Sequence, residues 1–494
     1  MAEQQASYRQ IMKATSIFGG VQVYNVIISI IRSKFIAVLL GPTGMGIANL
    51  LISTTDLVGK ITNLGLSTSA VRNVAAANAS GDKERIATVV SVLRRLVWLT
   101  GILGTLFTLF LAPRLSELTF GNKDYTFAFI WLSITLLLTQ VNAGQLVVLQ
   151  GMRRINFLAK ANMAGNTMAL LTSVPIYYFL GLKGIVPAII ISAVTLLFFS
   201  WYYSSKVEVQ TKKINKADLF SEGGDMIKMG FFLSLSSLMS VGTAYILRIY
   251  ISHKGGVEQV GLFTAGFAII STYVGLVFTA MSKDFFPSLS GIAHKNEEAK
   301  SFVNQQAEIA ILILAPILTF FLIFMYFIVI LLYSNKFIPV NEMMHWAALG
   351  IYFKAASWPI SYLIIAKGHT RTFFFSELIT KFYITGLNIA GYLWKGLEGL
   401  GISYFVGFVF YSIHVSILSY SKYGFSFEKQ FYKIIGIQFM LGTSCFIISR
   451  FVNPPYMYFF GSILILASCL YSFKELDKRL NLMLFIREKF KKPN

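Results

Sequence analysis

Apolar runs of about 20 residues recur along the whole chain, each closed by a short cluster of glycine, polar or charged positions. A helix rises about 1.5 Å per residue, so each run crosses a ~30 Å hydrocarbon core with its backbone hydrogen bonds satisfied internally. The pattern predicts spans at 16–40, 44–69, 88–112, 126–150, 159–180, 184–203, 228–251, 259–282, 306–333, 342–366, 374–393, 399–420, 431–449 and 456–473. The expectation is an all-α polytopic membrane protein with about fourteen transmembrane helices. The Gly/Pro-broken stretch from Leu180 to Pro187 also leaves room for a re-entrant turn.

Composition agrees with lipid as the solvent. Of 494 residues 55% are hydrophobic and 13% charged, half the charged share of an ordinary soluble domain, and the mean hydropathy is +0.65. A soluble enzyme is excluded. The net charge of +21 would otherwise suggest nucleic acid, but topology accounts for it. With the N-terminus inside, and bases at span ends counted with the adjoining loop, 30 of the 43 Lys and Arg fall on the inner side, 7 on the outer side and six within spans. Both termini are therefore expected in the cytoplasm, with no nucleic-acid partner. The polar N-terminus lacks a small-residue cleavage site, so the first span is expected to be retained. The basic, amphipathic tail from Lys474 reads as a positive-inside tail or as a segment lying on anionic headgroups.

Two segments about 215 residues apart share a pattern: RSKFIAVLLGPTGMGIANLLIST from Arg32, and RIYISHKGGVEQVGLFTAGFAIIST from Arg248. Each sets an Arg late in one span, then a glycine-containing outer turn, then a Gly (Gly46, Gly261) opening the next span. Repeated halves in transporters form two lobes with the substrate site between them. The chain is accordingly expected to comprise an N-lobe of helices 1–6 with a basic linker (1–225), a C-lobe of helices 7–12 (226–425), and two further helices with a basic tail (426–494). The two six-helix lobes would be pseudo-symmetric about a central cationic cavity.

Ionisable groups inside a bilayer cost about 2.5–3.5 kcal/mol each even on the lenient insertion scale, so they mark cavities by default. The six intramembrane bases are Arg32, Lys34, Lys60, Arg248, Lys354 and Lys381. Asp56 and Glu377 lie four residues before Lys60 and Lys381 and can neutralise them. Polar stripes at helical spacing accompany the rest: Gln22, Asn25, Ser29 and Arg32; Asn49, Ser53, Asp56, Lys60, Asn63 and Ser67; Gly350, Lys354, Ser357 and Ser361. Each stripe lines a cavity or bonds one helix to the next. Guanidinium forks suit phosphate-like anions, so Arg32, Arg248, Lys354, Asn25, Ser29, Asn49 and Lys60 are the candidate substrate-binding residues. Asp56, Glu377 and His345 are the candidate ion-coupling groups. Tyr245, Tyr250, Tyr352 and Trp358 either stack on sugars or pack.

Catalytic chemistry finds no foothold. The Gly59-Lys60 pair lacks the rest of a phosphate loop, and the glycines of GPTGMG serve a turn. Cys445 and Cys469 form no metal or disulfide framework, and no catalytic constellation can be assembled. The expectation is no enzyme, no cofactor and no metal, with transport drawing on a proton or sodium gradient.

The stretch SIIRSKFIAVLLGPTGMGIANLLISTTDLVGKITNLGLSTSAVRNVA resembles the opening of the Wzx-type O-antigen flippases, of the polysaccharide transporter family within the multidrug/oligosaccharidyl-lipid/polysaccharide exporter superfamily. LRIYISHKGGVEQVGLFTAGFAII followed by FFPSLSGI resembles that family's seventh and eighth helices, and the similarity runs over about residues 7–425. The resemblance implies translocation of undecaprenyl-pyrophosphate-linked O-antigen or polysaccharide repeat units from the cytoplasmic to the periplasmic leaflet of a bacterial inner membrane. It implies alternating access, a place in lipopolysaccharide biosynthesis, and partnership with membrane lipids and glycan polymerase machinery. Arg32 matches the family's first-helix arginine, and Asn49 and Asp56 fall on its cavity-lining second-helix face. Two departures stand out: Leu247-Arg248 replaces the Asp-Arg of many relatives, and two helices are added, as in lipid II flippases. The helix-eight arginine of the latter is absent from GLFTAGFAII. The competing readings are a multidrug or lipid II exporter on the same scaffold, and a membrane polymerase or ligase. The first predicts cavity acids for cationic drugs, and the second predicts long catalytic loops.

Overall fold

Helices are the only regular elements among the residues described by the computed structural model, 2–209, 212 and 215–480. They are α1 (Ala2–Asn63), α2 (Leu66–Ser80), α3 (Lys83–Phe120), α4 (Thr126–Gly151), α5 (Ile155–Leu180), α6 (Ile185–Ser205), α7 (Lys216–Ala268), α8 (Gly275–Ile292), α9 (Asn296–Leu332), α10 (Val340–Ala366), α11 (Thr370–Tyr423), α12 (Lys429–Phe451) and α13 (Tyr456–Leu480). The end of the amphipathic tail, 481–494, lies outside the described residues.

Among the described residues, ten helical runs are long and apolar enough to cross a membrane. That is fewer than the fourteen separate spans expected, because four expected pairs are joined through a break of one or a few residues. The joined runs are 45 to 56 residues long, roughly twice what a ~30 Å core requires. Their breaks have a backbone cause. Gly41 (φ 68°, ψ −169°) and Gly256 (φ 80°, ψ 173°) occupy a region essentially reserved for glycine. Pro42 follows Gly41 at the first position of the resumed helix, where its missing N–H costs nothing. Lys395–Gly396 interrupts α11, and a 3-10 turn, Gly181–Gly184, separates α5 from α6. A π-helical turn, Ile269–Val274, joins α7 to α8.

The chain forms two compact units, Met1–Thr264 and Ala265–Asn494. In the first, α1 packs on α3 and α5, α3 on α4, and α5 on α6. Large apolar side chains stay exposed on these helices, Phe110 and Phe179 at more than three-quarters of their surface. Such a belt belongs in lipid, not water.

The internal repeat closes on itself inside this unit. Gly46 and Gly261 each follow a break by five residues, and the two turns meet backbone to backbone. A Cβ on Gly46 would lie 1.8 Å from the Val257 carbonyl oxygen, and one on Gly261 1.9 Å from that of Pro42.

In the second unit α10 packs on α9 and α11, while α12 and α13 pack on α9. The two added helices are anchored by polar groups. Gln438 donates to Ser472 Oγ (2.8 Å) and accepts from Ser468 Oγ (2.7 Å), all three buried. Arg479 bonds both Glu308 of α9 and Glu475 at 2.8 Å, each acid 7% exposed. Removing one partner strands a buried charge, so Arg479→Ala is expected to cost about 3 kcal/mol, the low end for buried pairs because Arg479 keeps 22% exposure. Unfolding of the detergent-solubilised protein measures this, with Gln430→Ala, which removes one 3.3 Å amide hydrogen bond to the Glu475 carboxylate, expected to cost less, about 1.5 kcal/mol.

Candidate substrate-binding site

The first polar stripe divides by function once its neighbours are in place. Asn25 accepts a hydrogen bond from Asn166 of α5 at 3.1 Å, and Tyr24 pairs with Thr167 one residue on. These positions join α1 to α5, while Ser29 remains exposed. Arg32, one turn later, lies within electrostatic reach of Tyr177 of α5. Its Nε and Nη2 are buried and have no hydrogen-bond partner.

Beyond the break the second stripe divides in the same way. Asn49 donates to the Met45 carbonyl (2.9 Å) and Ser53 to that of Leu50 (3.2 Å), so both are satisfied within α1. Asn63 reaches Gln140 of α4 (3.0 Å), which in turn donates to Thr100 of α3 (3.0 Å). Asp56 and Lys60 are left exposed on a spanning segment. Neither Asp56–Lys60 nor Glu377–Lys381 forms an ion pair within 4 Å, the ion pairs of the described residues all lying elsewhere.

Arg248 of α7 has Asp56 as its electrostatic neighbour. Its Nη1 donates to the Ala244 carbonyl (3.3 Å) of its own helix, and its Nε is buried without a partner. One turn before it, the Tyr245 hydroxyl meets Thr119 of α3 (2.7 Å) and Thr54 of α1 (3.2 Å). This buried hydroxyl cluster ties α1, α3 and α7 together and fixes the helix that presents Arg248. Tyr245 is thus a positioning residue, a role that stripe spacing did not reveal. The two arginines keep buried donors unmet, a state that costs about 1–3 kcal/mol per group unless a ligand satisfies it.

In the second unit, Lys354 holds its ammonium 5.3 Å from the Phe278 ring centre and 5.4 Å from that of Phe408. Lys381 is its like-charged neighbour. Ring faces attract a cation but leave its three N–H donors free for an anion. Gly350 of the same stripe is a packing position, where a Cβ would meet Tyr404 at 2.9 Å, and Ser357 is buried and bonded to the Lys354 carbonyl. Glu377 accepts from the Tyr411 hydroxyl at 3.1 Å, with His414 in electrostatic reach. His345 donates a ring N–H to the Leu322 carbonyl of α9 (3.1 Å) and lies edge-on to Phe446 of α12. Tyr352 is fully buried against Phe439, and Trp358 packs among Phe278, Phe285 and Tyr362. Tyr352 is a core residue, and the half-buried Trp358 packs against the core.

Sequence spacing also missed a cluster where α10, α11 and α12 meet. Glu398 accepts from Arg450 (2.5 Å) and Trp346 (3.3 Å).

Comparison with known proteins agrees with this architecture. The lipid III flippase of Escherichia coli K12 is 21% identical over 359 residues, covering 70% of this chain and 82% of that protein. Among solved structures, the lipid II flippase MurJ in its inward closed conformation superposes with a TM-score of 0.70 at 11% identity, over 95% of this chain and 99% of MurJ. An inward-facing multidrug resistance MATE family transporter of the MOP superfamily gives 0.66 at 18% identity, over 82% and 94%. At such identities the structural matches establish the fold alone, and the chain has the MurJ/MATE-type helical fold. The polysaccharide biosynthesis protein family model matches residues 35–342, which hold Arg248 and most of both repeat segments. With well over half of its 494 residues inside that match, the chain is a member of the polysaccharide biosynthesis protein family.

Proposed function

We propose that this chain is a flippase for a lipid-linked saccharide precursor, carrying an undecaprenyl-pyrophosphate-linked O-antigen or polysaccharide repeat unit from the cytoplasmic to the periplasmic leaflet of a bacterial inner membrane. The observation that carries the reading is the pair of buried, incompletely bonded guanidiniums, Arg32 and Arg248, within one unit. A pyrophosphate supplies the acceptors they lack, in short charge-assisted bonds. Lys354 of the second unit, cradled by two rings and without a carboxylate partner, is a separate candidate anion-binding group. The lipid III and lipid II flippases among the similar proteins support a lipid-linked cargo, and the saccharide is the finer part of the proposal.

Translocation proceeds by alternating access, driven by a proton or sodium gradient. Asp56, beside Arg248, is the favoured coupling group: an acid that neutralises the arginine when the site is empty and yields it when pyrophosphate arrives. Glu377 is the second, whereas the His345 imidazole is committed to a main-chain carbonyl. Lys60, Ser29, Asn49 and Asn25 frame the site, the last two through helix-stabilising bonds.

A deletion strain tests the class of cargo. The expected result is loss of surface polysaccharide with accumulation of lipid-linked repeat units on the cytoplasmic side and unchanged drug sensitivity. Drug hypersensitivity with normal surface polysaccharide would instead favour the multidrug exporter.

A further inference from the structure

The first unit holds a second polar feature away from the arginines of the spans. The short helix α2, most of which lies beyond the expected span 44–69, buries Leu66, Ala70, Val74 and Ala77 along one face. That face packs on Val89, Val90, Leu93 and Met226 of α3 and α7. The opposite edge carries Arg72 and Asn73 into a cleft of about 530 Å³, completed by Arg85 from the start of α3 and by Glu222, Asp225 and Lys228 from α7. The volume suits a small ligand.

Two features argue that the cleft is built to stay open. Asp82 caps α3 by accepting from the Glu84 and Arg85 amides (2.9 and 3.3 Å), which fixes the turn that presents Arg85. Gly65 and Gly230 cross in backbone contact, a Cβ on Gly65 falling 2.0 Å from the Gly230 oxygen, so α2 and α7 are held at a set separation. The charges also stay apart. Three bases and two acids line one cleft, yet none of them forms an ion pair within 4 Å, and the Arg72 Nη1 contact is to the Met229 thioether (3.1 Å). The nearby Glu84 is engaged by Lys212 instead (2.5 Å).

We infer that this cleft is a loading site that captures the glycosyl-diphosphate headgroup at the membrane surface before translocation. Arg72, Arg85 and Lys228 take the phosphates, the arginines through their forks. Asn73, Glu222 and Asp225 supply the mixed donors and acceptors that sugar hydroxyls match. The two carboxylates disfavour a plain anionic bilayer lipid. The cleft lies on the face that the excess of Lys and Arg assigns to the cytoplasm, the side on which the cargo is loaded. This inference rests on the flippase reading for its cargo.

The test uses the full chain in phosphatidylcholine nanodiscs, with inorganic pyrophosphate, undecaprenyl pyrophosphate and undecaprenyl pyrophosphate carrying N-acetylglucosamine as probes. Placed in the R32A/R248A background, so that the cleft alone is read, R72Q/R85Q is expected to weaken all three by at least tenfold with an unchanged unfolding temperature, and R72K/R85K to keep only part of the affinity, since lysine keeps the charge but not the fork. E222Q/D225N is expected to weaken only the sugar-bearing lipid, by about fivefold. Affinity left unchanged by R72Q/R85Q in that background overturns the loading site, as does failure of R32A/R248A to bind inorganic pyrophosphate. Equal displacement of the probes by added phosphatidylglycerol also overturns it, by showing a site for bilayer lipid. Flipping by R32A/R248A separates the two proposals: its loss, with binding in that background unchanged by R72Q/R85Q, sinks the loading site alone. Normal flipping in R32A/R248A with lost pyrophosphate binding in R72Q/R85Q sinks the span site alone.

Discussion

The double variant Arg32→Ala/Arg248→Ala is expected to abolish flipping of lipid-linked saccharide in reconstituted vesicles, by at least about 100-fold. Each guanidinium hydrogen-bonded to a charged group contributes about 1.5–3 kcal/mol, roughly a factor of 10 to 100 in affinity, and the cargo has no other arginine in these spans to replace them. Arg32 lies beside Tyr177 and Arg248 beside Asp56, so the substitutions remove buried charge without opening a carboxylate–arginine hydrogen bond. The folded protein is therefore expected to survive. Removal of an isolated buried charge relieves a desolvation cost, and Arg32→Ala in particular should leave the unfolding temperature unchanged or higher. A variant that loses flipping together with its fold would not bear on the site, so a melting curve accompanies the assay. Arg32→Lys/Arg248→Lys is expected to recover only part of the activity, since a lysine keeps the charge but not the bidentate fork.

Replacement of Gly46 by Ala should be nearly as damaging, although it touches no charge. The added Cβ would sit 1.8 Å from the Val257 carbonyl oxygen, a backbone atom that no rotamer change can move. The turns after Gly41 and Gly256 must then separate, and overpacking of this kind costs about 1–3 kcal/mol or more. The expected result is at least a tenfold fall in flipping. A cysteine placed at Thr43, with the exposed Cys469 changed to Ser, should react faster with a membrane-impermeant maleimide. Gly59→Ala is the control. Nothing lies within 4 Å of a Cβ there, and alanine raises helix propensity by up to about 1 kcal/mol, so activity should persist. Equal effects of Gly46→Ala and Gly59→Ala would remove the docked turns from the account.

What the sequence disclosed follows from which signals are periodic and local. The spans were legible because lipid leaves no alternative to a helix of about 20 apolar residues, and the repeated Gly46 and Gly261 were legible because each recurs at the same place beside a turn, where the close backbone approach leaves no room for a Cβ. The breaks at Gly41 and Gly256 lie in the same turns, but the joining of neighbouring spans into single runs depends on backbone angles that hydropathy does not report. Polar stripes were legible as stripes only. Asn25 meets Asn166 and Asn63 meets Gln140, whereas Arg32 keeps unmet donors. Spacing on one helix cannot distinguish these fates, because the partner belongs to another helix. The same reason hid Glu308 with Arg479, 171 residues apart, and the cleft of α2, whose 15 residues are too short and too polar to register as a span.

The most direct test of the account is equilibrium binding of undecaprenyl-pyrophosphate-linked saccharide to the purified chain in nanodiscs at low and high salt, with R72Q/R85Q present throughout so that the spans alone are read, for Arg32 and Arg248 intact and for Arg32→Ala/Arg248→Ala. The account predicts tight binding with the two arginines intact that weakens at least tenfold on their removal, with a smaller response to salt than exposed charges would give because both arginines are half-buried. Folded protein with Arg32 and Arg248 intact that fails to bind the lipid-linked saccharide, or equally tight binding without them, would contradict it.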